Sequence, residues 1–566
     1  MKNYPLYEVR QIASIRDMQK QSVQEFGDKP AFLVKKERGG PYTPISYVEN
    51  DKDITSLGTA FLTMGLSGKR IAVISENRYE WAVTYFAAVN GESVIVPIDK
   101  ELPFDDWSHL LSVAEVSAVV YSQKFSADMV KVKASIPSLE ILVNMDLLED
   151  TEHEKSFAAL LREGRRLVTA GNHLFDEVEI DVEAPRILLF TSGTTALSKG
   201  VWLSHKNITV SLMSMSSMLY VGCPDVFLSV LPLHHTYECT CGFLCAYYRG
   251  CTIAYCEGLR YILANLKEAK ATVMLGVPAI FETMYKRIWA TAKKSGIENK
   301  LKLGLKIANT LGKVHIDVRK KLFKQIHDTL GGHVRLFISG AAGINPEIAK
   351  GFRNMGILFV QGYGITECSP IVCLNRDHFF KDDAAGYPMP CMDVKLIDVG
   401  SDGIGEIVCR GENVMLGYYK DDAATKEVME GGWFHTGDLA YQDKDGFFHI
   451  TGRKKNVIVT QNGKNIFPEE LETYLNENAN VLESMVYGEE DETGETVLCA
   501  LLVPNFEHIG KDASDEQIRS LMEAAIKEVN QRNPLYKYIR KFEIRKEELQ
   551  KTTTKKVKRY LEKPAK

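Results

Sequence analysis

Residues 191–200 read Thr-Ser-Gly-Thr-Thr-Ala-Leu-Ser-Lys-Gly. Five hydroxyl side chains, two glycines and one lysine within ten residues can hold a polyphosphate. They supply free backbone N–H groups, hydroxyl donors and one mobile cation. A plain surface turn does not need that density of donors. The order is not that of a Walker A loop, where Gly-Lys is followed by Ser or Thr and then a helix. Here Lys199 precedes Gly200, and the next residues, Val201-Trp202-Leu203, read as a strand. The apolar run at 186–190 reads as another. The expectation is a strand–loop–strand phosphate clamp.

Three further groups of residues carry chemistry. An apolar strand at 334–338 runs into Ser339-Gly340-Ala341-Ala342-Gly343, and Asn345-Pro346 then opens a helix. A second strand at 357–360 runs into Gln361-Gly362-Tyr363-Gly364-Ile365-Thr366-Glu367. Both groups fall beyond the carboxyl ends of strands, where parallel sheets bind ligands. Tyr363 offers a face for a base, and Glu367 offers a hard oxygen of the kind Mg²⁺ prefers. Farther on, Asp438 follows a Thr-Gly turn and suits two ribose hydroxyls as acceptor. A basic turn, Thr451-Gly452-Arg453-Lys454-Lys455-Asn456, marks a domain boundary, giving domains 1–452 and 453–566.

The elements that must position these groups alternate. Strand at 70–75, helix at 79–89 and strand at 93–97 make a βαβ unit, and a helix at 104–114 and strand at 117–121 continue it. This predicts an α/β fold with a largely parallel sheet. Ser204 is placed to cap a helix running toward residue 220. Residues 240–248 are apolar and aromatic, which suits either a pocket for a greasy substrate or a core helix. From about residue 384 short strands and turns predict a small β region. Beyond 453, a hairpin at Asn462-Gly463, a helix from Pro468, strands at 482–487 and 496–503, and a helix at 515–531 predict an α+β module. Its last segment, 536–566, holds twelve Lys and Arg against four Glu. That reads as a solvated tail or a phosphate-seeking segment with Lys551–Lys556 at its tip.

Composition sets the class. The chain has 566 residues, 45% hydrophobic and 25% charged, with net charge −5, ordinary for a globular protein and no sign of a nucleic-acid partner. Eleven cysteines cannot all pair. Six lie between 223 and 256 without CxxC spacing, which favours buried reduced thiols over a zinc site. The first residues lack the apolar core of a secretory signal and no run spans a membrane, so the expected location is cytoplasmic.

In their order and spacing these motifs resemble the adenylate-forming superfamily of acyl-CoA synthetases, adenylation domains and luciferase, over roughly residues 30–560. Pro232-Leu233-His234-His235-Thr236-Tyr237-Glu238 and the terminal Thr-Thr-Thr-Lys-Lys-Val-Lys-Arg are most like bacterial long-chain fatty-acid–CoA ligases. The resemblance implies layered α/β sheets and a small β region in a large N-terminal domain, followed by a smaller, mobile α+β domain. Thr191, Ser192, Gly193, Thr194, Thr195 and Lys199 would hold the β- and γ-phosphates. Ser339, Gly340, Ala341, Gln361, Gly362 and Tyr363 would form the adenine slot. Thr366 would touch the α-phosphate and Glu367 the Mg²⁺. Asp438 and Arg453 would bind ribose, Lys455 would be the hinge, Gly463 would flank the pantetheine tunnel, and Lys556 would be the catalytic lysine. Three positions depart from the superfamily pattern: Ala196 for glycine, Ser198 for proline, and Lys555 for glycine. Lys555 adjoins Lys556, and register from Lys551-Thr552 selects Lys556.

The implied activity is ATP- and Mg²⁺-dependent conversion of a medium- to long-chain fatty acid to acyl-adenylate, followed by thioester formation with coenzyme A. Transfer to a carrier-protein pantetheine and a catalytically silent nucleotide- or acyl-binding regulator are the alternatives. Partners are small molecules. A peripheral membrane contact stays open because the tail is basic and the product amphipathic, although no amphipathic anchor stands out. Chain-length preference and oligomeric state are not legible.

Overall fold

The computed structural model describes residues 5–191, 198–312, 317–460, 464–490, 496–552 and 557–562. Two compact units emerge. The first takes in the chain to Thr191, Ser198–Asp393 and Arg410–Glu427, and the second Val394–Cys409 and the chain from Val428.

The first unit holds two large sheets. In one, Arg70–Ile74, Val94–Pro97, Ala118–Tyr121 and Ile141–Asn144 pair in parallel, the outcome expected from the strand–helix alternation. At one end of this sheet Pro185–Phe190 and Gly200–Ser204 form an antiparallel hairpin, and Gly417–Tyr418 closes the edge. The second sheet is parallel through Pro30–Lys35, Thr252–Tyr255, Val226–Ser229, Val273–Gly276, Leu336–Ser339 and Leu358–Gly364. Ile371–Leu374 then joins it antiparallel. Most residues of the central parallel strands are buried and apolar because both of their faces are covered.

Between the strands Arg70–Ile74 and Val94–Pro97 runs the helix Tyr79–Asn90, buried from Trp81 onward. Phe86 lies 5.2 Å from Phe243 and 5.0 Å from Tyr247, and Phe243 reaches Phe32 of the other sheet at 6.2 Å. A helix apolar all round belongs in a core. Truncating one such ring to alanine costs about 3–5 kcal/mol. Residues 240–248 belong to this cluster. They form the π-helical turn Tyr237–Leu244 and the helix Cys245–Tyr248, and all are buried. The core reading of that stretch therefore holds. Cys239, Cys241, Cys245 and Cys251 are free and buried within or beside it.

The second unit contains a five-stranded sheet built around Gly405–Gly411, Trp433–Gln442 and Phe448–Arg453, which is the small β region. Its α+β module packs helices Pro468–Glu477 and Asp515–Gln531 on the sheet Val481–Glu490, Thr496–Pro504 and Ile539–Ile544. The strands Ile458–Val459 and Asn465–Ile466 pair as the predicted hairpin, whose Gly463 lies outside the described residues. Several basic residues in the described part of the tail make ion pairs. Lys537 pairs with Glu470, Lys546 with Asp515, Lys551 with Glu483, Arg545 with Glu562 and Arg559 with Glu472.

Candidate active site

The hairpin at Pro185–Phe190 and Gly200–Ser204 fixes both shoulders of the phosphate-clamp motif. Phe190 pairs with Gly200, and the Thr191 N–H donates to the Lys199 carbonyl at 2.9 Å. Ser192, Gly193, Thr194 and Thr195 lie outside the described residues. Lys199 places its ammonium 4.7 Å above the Tyr418 ring, a cation–π contact. The Tyr418 hydroxyl donates to Glu367 Oε1 at 2.9 Å. A lysine and a carboxylate 168 positions apart in sequence are thus linked through one tyrosine, the lysine over its ring and the carboxylate at its hydroxyl.

Backbone pairing explains why the tyrosine sits there. Gly417–Tyr418 is hydrogen-bonded to Val201 and Trp202, the Met415 N–H donates to the Glu367 carbonyl at 2.7 Å, and the Tyr418 N–H donates to Thr425. Asn413 is buried and donates to the Cys368 and Ile371 carbonyls. Asn207 donates to the Glu412 and Val414 carbonyls. Sequence reasoning missed Tyr418, Asn413 and Asn207. A Gly-Tyr-Tyr after an apolar run signals a short strand, but nothing local names its partner.

Ser339, the last residue of its strand, pairs in register with Gln361 of the adjacent parallel strand, so the two predicted adenine-slot segments lie side by side. Ser339 is fully buried and its hydroxyl has no partner among the described residues. Ala341 is held at φ +71°, which costs an alanine on the order of 1–2 kcal/mol. A Cβ on Gly340 would come 2.8 Å from the Tyr237 ring, so glycine is required there. Tyr237 is itself held by a hydrogen bond to the Ile338 carbonyl. Gln361 donates to the Asp382 carbonyl, and Tyr363 and Gly362 remain partly exposed beyond it. Thr366 opens the short 3₁₀ turn Thr366–Cys368 that carries Glu367.

In the second unit Asp438 and Arg453 face each other across the pairing of Trp433–Gln442 with Phe448–Arg453, with Arg453 Nε 2.6 Å from Asp438 Oδ1. Asp438 is 4% exposed. Its N–H donates to Thr436 Oγ1, and Gly437, at φ +67°, makes the turn. Beneath it Glu406, also buried, accepts from the Gly437 N–H and pairs with Lys454 at 2.6 Å, which raises the Lys454 pKa. Lys455 is exposed on the turn Lys454–Asn456. Lys556 lies outside the described residues. The chain flanking it is fixed by a β-bridge from Lys551 to Val557 and by Arg559, which grips Glu472 at 2.5 Å.

A family model for AMP-binding enzymes matches residues 19–419, and a model for the AMP-binding enzyme C-terminal domain matches 455–562. This chain belongs to the AMP-binding enzyme family. It is an adenylate-forming ligase, and ATP, Mg²⁺ and coenzyme A are the family's cofactors. Among similar proteins, long-chain-fatty-acid–CoA ligase 1 of Cavia porcellus is 28% identical over 536 residues, covering 88% of this chain and 74% of that one. Long-chain-fatty-acid–CoA ligase FadD15 of Mycobacterium tuberculosis is 26% identical over 543 residues, covering 89% and 87%. The fold matches the anthranilate CoA ligase AuaEII bound to anthranoyl-AMP with a TM-score of 0.78 at 19% identity, over 99% and 97% of the two chains. It matches ATP-bound MatB of Rhodopseudomonas palustris at 0.74 and 22%, over 97% and 98%.

The residues present suit these groups. Glu367 offers hard carboxylate oxygens beside the Thr366 hydroxyl, the donor chemistry of a Mg²⁺ shared with phosphate. The orphan Ser339 hydroxyl and the glycine-lined strand ends are suited to a polar, planar ligand. Among the described residues no helix is long and apolar enough to cross a membrane.

Proposed function

We propose that this enzyme activates a medium- to long-chain fatty acid. The acid's carboxylate attacks the α-phosphate of ATP, pyrophosphate leaves, and the coenzyme A thiol then displaces AMP from the acyl-adenylate to give the thioester. The observation that carries the reading is the Lys199–Tyr418–Glu367 chain, which ties a cation at the phosphate-clamp motif to a carboxylate after the Gln-Gly-Tyr strand. The long-chain names of the relatives support the substrate class.

In this reading two anions must meet, so positioning and charge stabilisation supply the rate. Lys199 and the hydroxyls of residues 191–195 bind the β- and γ-phosphates. Tyr418 keeps the Lys199 ammonium and the Glu367 carboxylate in fixed places. Mg²⁺ held by Glu367 would neutralise phosphate charge. Thr366 orients the α-phosphate, Ser339, Gln361 and Tyr363 hold adenine, and Asp438 and Arg453 hold the ribose. Lys556 stabilises the charge of the adenylation step, and Lys455 is the hinge on which residues 453–566, the mobile lid domain, turn for the second step.

Pyrophosphate release measured against short- to long-chain carboxylic acids, with and without coenzyme A, tests the proposal. The expected result is release that depends on a medium- or long-chain acid and thioester that appears only with coenzyme A. Release driven best by short or aromatic acids would overturn the substrate class.

A further inference from the structure

The segment from Lys286 to Lys324 carries twelve Lys and Arg against two acidic residues, in a chain whose net charge is −5. It spans the end of helix Pro278–Lys294, helix Glu298–Gly312 and the turn Arg319–Leu322. Of the basic residues described here, Lys302, Arg319 and Lys324 pair with acids, and the other eight make no ion pair among the described residues. Arg545, Lys551 and Arg559 of the basic tail differ, because each meets a largely buried carboxylate.

Helix Glu298–Gly312 is apolar on two faces. Leu301, Leu305 and Ala308 pack inward with Ala292, Trp289 and Phe323. Leu303 and Ile307 point outward, 58% and 41% exposed. At about 100° per residue, Leu303, Ile307 and Thr310 share one outer face, with Lys300 and Lys306 about 60° to either side. Leu322, 44% exposed, extends the patch, since a Cβ on Gly304 would lie 3.5 Å from its Cδ2. Folding gains nothing from exposed leucines among unpaired lysines, so the patch points to a partner.

We infer that this face docks the enzyme on an anionic lipid bilayer. A membrane interface takes both chemistries at once. The apolar side chains enter the headgroup–acyl boundary, and the lysine stems lie along it with their ammonium groups at the lipid phosphates. A nucleic acid would reward only the cations and leave Leu303 and Ile307 in water. Phospholipid charge complementarity therefore selects the bilayer, and the surface needs no nucleotide or acid to act.

Sedimentation of the full chain with vesicles of phosphatidylcholine alone, or with one part in three phosphatidylglycerol, tests this. Binding is expected only to the anionic vesicles. It should weaken when salt rises from about 0.1 M to about 1 M, as the screening length falls from ~10 Å to ~3 Å. Lys300→Gln with Lys306→Gln should lower the partition coefficient roughly 25-fold, about fivefold per lysine. Leu303→Ser with Ile307→Ser should lower it at least about tenfold. Melting temperatures report folding, and Lys293→Gln with Lys294→Gln repeats the test on the other helix. Equal binding to neutral and anionic vesicles, unchanged binding by all three double variants, or capture of an RNA oligonucleotide without vesicle binding would overturn the inference.

Discussion

Glu238 ends the Pro-Leu-His-His-Thr-Tyr-Glu motif and sits on the π-helical turn Tyr237–Leu244, 1% exposed. Neither carboxyl oxygen has a hydrogen-bond partner among the described residues, and the Ser229 side chain and the Leu231 backbone favour the charged form only weakly. A Cβ on Gly242 would come 2.8 Å from the carboxyl carbon, so glycine makes room for it. Burial, which outweighs the opposing Ser229 and Leu231 groups, pushes the Glu238 pKa from 4.5 up to about 8. The folded state therefore holds a proton that the unfolded chain releases. Stability from this group is complete below pH 4.5 and is lost as pH rises toward 8, at about 1.4 kcal/mol per pH unit. Glu238→Gln keeps the shape of the neutral acid and cannot ionise. Guanidinium unfolding should place the two proteins within about 1 kcal/mol at pH 5, with the variant ahead by about 4 kcal/mol at pH 8. Parallel stability profiles for the two proteins would refute the assignment of a neutral, buried carboxyl.

Other perturbations probe the site. Tyr418→Phe keeps the ring under Lys199 and removes the donor to half-buried Glu367, so acid-dependent pyrophosphate exchange should fall roughly three- to tenfold, and Tyr418→Ala, which also loses the cation–π contact, should fall further. An unchanged rate in both would remove the tyrosine from the account. Arg559→Met leaves Glu472, whose pKa burial already lifts to about 7, buried without its partner; unfolding should show the module from residue 455 losing about 3–5 kcal/mol at pH 8 and less at pH 5. Lys556→Ala should abolish adenylation yet still turn preformed acyl-adenylate and coenzyme A into thioester, and Lys455→Pro should slow thioester formation more than adenylation. Equal loss of both half-reactions in either variant would remove its assigned role.

Local signals were legible where the physics is local. Ser204 caps helix His205–Met218 through a capping box with Asn207, and Asn345-Pro346 opens helix Pro346–Asn354, both as their residue types dictate. The polar run flanked by apolar strands gave the hairpin, and the 17-residue helix Asp515–Gln531 fell on the residues expected. Contacts set by tertiary pairing were not legible. Tyr418 reaches Glu367 only because its two-residue strand joins the edge of Gly200–Ser204. The partners of Lys537, Arg559 and Lys551 in the basic tail, Glu470, Glu472 and Glu483, were not legible because they lie some seventy to ninety residues earlier. Outward Leu303 and Ile307 of Glu298–Gly312 were hidden within an apolar periodicity that also serves the core.

The central claim is that a carboxylic acid is joined to AMP before it meets a thiol. Fatty acid labelled with ¹⁸O in its carboxylate, incubated with ATP, Mg²⁺ and coenzyme A, decides this by mass spectrometry of the nucleotide product. AMP is expected to carry one labelled oxygen for each thioester formed, with pyrophosphate unlabelled. Label in inorganic phosphate with ADP as product, or thioester formed with no label in any nucleotide, would contradict it.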